Sequence, residues 1–320
     1  MRRSILFVLI LTVFALAMPA ALTAQSLKLT LPIKSGSVKF AVIGDTGTGD
    51  SHQMAVAKQL NTARAQFPFD FVIMLGDNLY GGNSAKDYDK KFALPYKPLL
   101  DGGVKFYASL GNHDDPSERF YKPFNMNGER FYTFKPGNSS ARFFALDSNY
   151  MDDKQLKWLD EQLAASGSDW KICFFHHPPY SSGEAHGSDT VLRDQVEPVF
   201  LKYGVNTVFT GHEHFYERIK PQKGVAYFIA GSSAKLRSGN IAASDLEAKG
   251  FDQGYTFMLV EIDGDDMYYQ TISEKGTTID SGSVHRVGKV EATPNRTAQP
   301  VVSTSGKDAA KPATGKTTGK

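Results

Sequence analysis

Six apolar runs rich in Val, Ile and Phe recur along the chain, at 38–43, 69–75, 104–110, 141–146, 170–175 and 205–210. Each is six or seven residues long and many stop at Gly or Asn, the behaviour of buried strands rather than of helices. Helical patterns separate several of them. One covers 51–66, and another covers 152–165, with Asp152 as N-cap and Leu156, Leu159 and Leu163 on one face. A third covers 188–203, where Pro198 is expected to kink or restart the helix. Strands alternating with helices predict an α/β core. Beyond Gly211 the pattern changes: 225–230, 255–262, 267–273 and 277–279 read as strands joined by short turns such as Asp263-Gly264-Asp265. These predict a second, mostly antiparallel sheet packed on the first.

The two ends depart from this pattern. Met1-Arg2-Arg3 leads into an apolar stretch at 5–17 and then small residues at 19–24, the order of a secretory signal peptide spanning 1–24 with cleavage after Ala24. The apolar stretch is shorter than a bilayer span, so no membrane anchor is expected after cleavage and the chain is expected to be exported, secreted or periplasmic. From Gly288 onward Thr, Ala, Pro, Lys and Gly dominate, which predicts a disordered tail over 288–320, since too little apolar surface is available to offset the entropy of ordering. The catalytic domain is therefore expected over 25–287.

Composition adds little to the fold and something to the partners. Apolar residues make up 41% of the 320, enough for a sizeable core. The formal net charge of +2 hides an uneven layout, because the tail is basic (six Lys and Arg against Glu291 and Asp308) and the leader carries Arg2 and Arg3. What lies between is mildly acidic, which gives no reason to expect nucleic acid as a partner. Cys173 is the only cysteine, so no intramolecular disulfide can form, and its apolar surroundings point to a buried, inert thiol.

The chemistry is concentrated where the runs end. Asp45 stands in GDTG, Asp77 and Tyr80 in GDNLY, Asn112 in GNHD, His176 in CFFH, and His212 and His214 in GHEH. Five short polar elbows thus deliver two carboxylates, a phenol, an amide oxygen and three imidazoles to what reads as one sheet edge. This mixture of hard and borderline donors suits iron, zinc or manganese and excludes a soft thiolate site. His212 and His214, two apart in GHEH, stand in an elbow that lets them address neighbouring ions. Asp77 is the acid placed centrally enough to serve both. Two cations beside an activated water are the apparatus of phosphate-ester hydrolysis.

In this order the five blocks resemble those of the purple acid phosphatases, within the calcineurin-like metallophosphoesterase superfamily, and most closely the small tartrate-resistant kind. The resemblance covers roughly residues 38 to 270. It implies a four-layer αββα sandwich, two mixed β-sheets face to face with helices outside. It also implies that Asp45, Asp77, Tyr80 and His214 hold a first metal, and Asp77, Asn112, His176 and His212 a second. Many other metallophosphoesterases carry a His two residues after the first Asp; that position here is Gly47, and Tyr80 replaces the lost ligand. A phenolate favours Fe(III), with Fe(II), Zn or Mn in the second site. The family places two histidines to bind phosphate and protonate the leaving oxygen, a role that falls to His113, beside Asn112, and to His186, one residue further from His176 than in the mammalian members.

The expected activity is hydrolysis of phosphomonoesters by an exported acid phosphatase. A phosphodiesterase or nucleotidase on the same fold is a competing reading, opposed by Gly47 and Tyr80. A non-catalytic iron-binding surface protein is another, opposed by the intact ligand set and His113. Six of the eight histidines lie in or near the blocks; His52 and His285 read as solvated. His177, beside a ligand, reads either as lining the pocket or, as is commoner for such a neighbour, as pointing the other way, and Asp114 and Glu213 read equally as partners of the histidines or as exposed acids.

Overall fold

The apolar run of β1 (Val38–Ile43), broken only by Lys39, reflects a strand buried on both faces: Phe40 and Val42 pack to one side, Ala41 and Ile43 to the other. The same alternation recurs in β6 (Trp170–Phe175), where Ile172 and Phe174 face one core while Cys173 and Phe175 face a second. These observations come from a computed structural model of the chain, which describes residues 27–286. The signal peptide and the basic tail expected from the sequence lie outside the described residues.

Two mixed sheets hold three apolar layers between them and their helices. The first sheet adds β2 (Phe71–Leu75) and β3 (Lys105–Ser109), parallel to β1, on one side. On the other side it adds β11 (Thr256–Asp263), β12 (Asp266–Ser273) and β13 (Thr278–His285), all antiparallel, giving the order β13-β12-β11-β1-β2-β3. The second sheet has the order β10-β8-β9-β7-β6-β5-β4. Its parallel centre is β5 (Ala141–Ala145), β6, β7 (Thr207–Thr210) and β9 (Ala226–Ala230). Its antiparallel flanks are β4 (Tyr132–Phe134) on one side and β8 (Tyr216–Ile219) with β10 (Glu247–Phe251) on the other.

The late strands therefore do not form a sheet of their own. Tyr255 to Ser273 extends the first sheet, because β11 pairs along β1 with Met258 and Val260 opposite Val42 and Phe40 on the face that meets the second sheet. Local pattern announces a hairpin but not which edge it joins.

Helices cover the outer faces. α1 (Ser51–Arg64) packs Val56, Leu60 and Ala63 on the first sheet, followed by the short α2 (Ala85–Tyr88) and α3 (Lys97–Asp101). α4 (Asp153–Ala164) and α5 (Thr190–Tyr203) cover the second sheet through Leu159, Leu163, Leu192, Val196 and Phe200. Each long helix is capped by an Asp side chain (Asp50, Asp152, Asp189) accepting from backbone N–H groups of its first turn. Pro198 neither ends nor restarts α5, which runs unbroken to Gly204. The proline is exposed, so the carbonyl it leaves unbonded can be met by water. The result is the four-layer sandwich expected, with aromatic rings between the sheets: Phe40 stacks on Phe71 at 5.3 Å and meets Phe143 edge-on at 5.1 Å.

Candidate metal centre

All five elbows open at one edge of the sandwich. Asp45, Asp77 and His212 each adopt the left-handed backbone conformation, with φ of 54°, 51° and 69°. Non-glycine residues are uncommon there, and three at one site mark a backbone set by the side chains it must deliver. Gly111 before Asn112 is forced by close approach, since a Cβ on it would stand 2.2 Å from Oδ1 of Asp77.

The seven predicted donors form two groups. Tyr80 donates its hydroxyl to Oδ1 of Asp45 at 3.2 Å and lies 3.3 Å from Nε2 of His214, which is itself 3.4 Å from the same Asp45 oxygen. In the second group Oδ1 of Asn112 lies 2.9 Å from Nε2 of His176 and 3.0 Å from Nδ1 of His212, and the two nitrogens are 3.1 Å apart. Asp77 belongs to both, because its carboxylate groups with Asp45 and His214 while its Oδ1 is 3.4 Å from Nε2 of His176. A Cβ at Gly47 would lie 1.8 Å from the carbonyl oxygen of Asn78. The chain that carries Tyr80 therefore occupies the space where another side chain would enter.

The electrostatics suit cations. Asp45 and Asp77 are buried side by side with no Lys or Arg side chain bonded to either among the described residues. Burial, and then the charge of Asp77, raise the Asp45 carboxyl well above its usual range despite N–H donation from His212. Burial likewise lowers His176, and lowers His214 to about 4, so the imidazoles are held in the neutral form that ligates metal. Nδ1 of His176 lies 2.9 Å from the carbonyl oxygen of Leu75, which fixes its ring with Nε2 toward the site. Two buried acids with no Lys or Arg partner among the described residues, ringed by neutral imidazoles, fit a pair of cations.

His113 and His186 are both exposed at the mouth. The His113 ring sits 5.1 Å from Tyr80, and its backbone N–H donates to Oδ1 of Asp77 at 3.0 Å. The His186 ring sits 4.2 Å from His212, so the two histidines stand over opposite groups.

Four residues bear on the site in ways the sequence left open. His177 clusters with His176 and His212, its Nδ1 is 2.8 Å from the hydroxyl of Ser148, and it lines two clefts of about 480 and 350 Å³ beside the centre. Asp114 accepts from the Gly111 and Leu79 N–H groups and from the Asn78 amide, tying two elbows together. Glu213 is wholly buried. Lys235 carries its ammonium 4.5 Å above the Tyr80 ring. Only proximity in sequence to a ligand could have pointed to the first three, and nothing local pointed to Lys235.

The calcineurin-like phosphoesterase family matches residues 38–216, more than half of the chain, and the chain belongs to that family. It is distantly related to the tartrate-resistant and purple acid phosphatases. Tartrate-resistant acid phosphatase type 5 of Homo sapiens is 26% identical over 237 residues, 61% of this chain and 73% of that protein. Purple acid phosphatase 7 of Arabidopsis thaliana is 26% identical over 275 residues, 73% of this chain and 83% of that one. Among solved structures, a purple acid phosphatase from yellow lupin (Lupinus luteus) seeds aligns with a TM-score of 0.67 at 18% identity, covering 80% of this chain and 55% of that chain. The anchor in the inner membrane complex of Plasmodium aligns with a TM-score of 0.68 at 19% identity, over 79% and 90% of the two chains. At such identities the structures establish the fold alone. Fold, family and the two donor groups together define a metallophosphoesterase with a candidate two-metal site.

Proposed function

We propose that this chain is an exported acid phosphatase that hydrolyses phosphomonoesters at a binuclear centre. The observation that carries the reading is the first donor group, in which the Tyr80 phenol completes a set with Asp45 and His214 while the Asn78 carbonyl fills the space beside Gly47. A phenol ligand among oxygen and imidazole donors favours Fe(III) there. Asn112, His176 and His212 would hold the second ion, Fe(II), Zn or Mn, with Asp77 between the two. The likeness to acid phosphatases over most of their length supports the same reading.

Bound at these residues, two cations supply electrophilic charge to the phosphoryl oxygens and an activated water. The protein does the rest. His113 and His186, on opposite sides of the mouth, bind the phosphoryl oxygens, and one of them gives a proton to the departing alcohol, which is a poor leaving group as its anion. Among the described residues no helix is long and apolar enough to cross a membrane.

The purified metal-loaded protein is expected to absorb in the visible and to cleave p-nitrophenyl phosphate but not the bis ester. Tyr80→Phe should bleach the band. A colourless protein loaded with zinc alone from an iron-rich preparation removes the ferric assignment, and cleavage of the diester in preference to the monoester removes the phosphomonoesterase assignment.

A further inference from the structure

Glu213 stands between His212 and His214, yet its carboxylate engages a different part of the chain. Oε1 accepts the N–H of Gly187 at 2.8 Å, the peptide that follows His186. The other end of the same loop closes on the same oxygen, since a Cβ on Gly183 would lie 2.2 Å from Oε1. Oε2 faces Nη1 of Arg237 at 3.5 Å, and the Arg237 N–H donates to the carbonyl of His214 at 3.0 Å. From the far side, Glu184 N–H donates to Asn240 and Ala242 N–H to Ser182, each at 2.9 Å, around a bridge between Gly183 and Ile241. The His186 side chain makes no hydrogen bond among the described residues and touches the site through its ring contact with His212. Its position is therefore set by the backbone of 183–187, and that backbone rests on Glu213.

We infer that Glu213 is a positioning residue whose buried carboxylate seats the 183–187 loop, and with it His186, over the second donor group and ties that loop to Arg237. The inference rests on the phosphatase reading for its kinetic consequence, though not for the loop itself. A carboxylate suits the task because it accepts a peptide N–H on one oxygen and faces a guanidinium with the other. Removing it leaves the Gly187 N–H without its acceptor and the loop held from one side only.

The test uses the full metal-loaded chain with p-nitrophenyl phosphate. Glu213→Ala should lower kcat by about ten- to a hundredfold, the usual effect of losing a group that orients the reacting ones, with metal content unchanged. Glu213→Gln keeps the acceptor and should recover most of that loss. Gly183→Ala, which pushes the carboxylate aside without removing it, should reproduce it. In a His186→Ala background Glu213→Ala should have no further effect. Hydrogen exchange across 182–188 should quicken in Glu213→Ala and not in Glu213→Gln, and it reads the loop even if the chain proves inactive on monoesters, so failure of the phosphatase reading is told apart from failure of this one. Losses that add in the double variant, loss of metal, a silent His186→Ala, or unchanged exchange each overturn the inference.

Discussion

Partial burial holds the His186 imidazole below its ordinary value, against the pull of Glu213. A histidine that donates a proton must first be charged, so its competent fraction falls as pH rises through that depressed value, below about 6.5. The rate constant kcat/KM should accordingly be greatest on the acid side, and its alkaline limb should flatten in His186→Ala. A pH–rate profile of unchanged shape in the variant would take His186 out of the proton transfer. At this scale the sequence was most informative about the donors, because Asp45, Asp77, Asn112 and His212 each follow a Gly at the end of an apolar run and His176 follows an aromatic run. It was least informative about Glu213 and His177. What such a side chain touches depends on segments distant in sequence, here Gly187 and Arg237 for Glu213 and Ser148 for His177.

Elements were legible in proportion to how apolar they are. β1, β2, β3, β5, β6 and β7 were found because both faces are buried or nearly so. β4, β8 and β10 were missed. Each is three to five residues long and mixes polar with apolar positions, so neither period stands out. One cap, Asp152, was readable as a single residue, and it matters energetically. Asp152 accepts from the Gln155 N–H at 2.8 Å and also takes a 2.9 Å hydrogen bond from Arg130, whose other nitrogen reaches Asp147. Asp152→Ala should cost about 1 kcal/mol, the usual worth of an N-cap, seen as a lower urea midpoint at unchanged slope. Its effect on turnover should be small, since α4 covers the outer face of the second sheet and Asp152 is not one of the donors.

For the whole molecule, the layer between the sheets is the common support of both donor groups, because Asp45, Asp77 and Asn112 follow strands of one sheet and His176, His212 and His214 follow strands of the other. Phe143 lies at the middle of that layer, edge-on to Phe40 and Phe71 and stacked on Phe134 at 5.0 Å. Phe143→Ala should cost about 3–5 kcal/mol in chemical denaturation, and metal affinity should fall with it as the sheets lose their fixed separation. Chelation works in the opposite direction through the same coupling. Metal held at a thousand times its dissociation constant adds about 4 kcal/mol of stability, so stripping the protein should lower its melting temperature, and re-adding cation should restore it. A melting temperature indifferent to chelator would mean that the donor groups hold no cation.

The pairing of β1 with β11, from Val38 opposite Ile262 to Val42 opposite Met258, joins the first described strand to the eleventh of thirteen. While the chain is being made, β1, β2 and β3 can associate early, but β1 keeps a bare apolar edge until residues 256–263 arrive. An exposed edge of that kind is a template for pairing with another chain. Nascent or truncated forms ending before β11 should therefore aggregate rather than stay partly active. A strand synthesised late in the chain shields the one synthesised first.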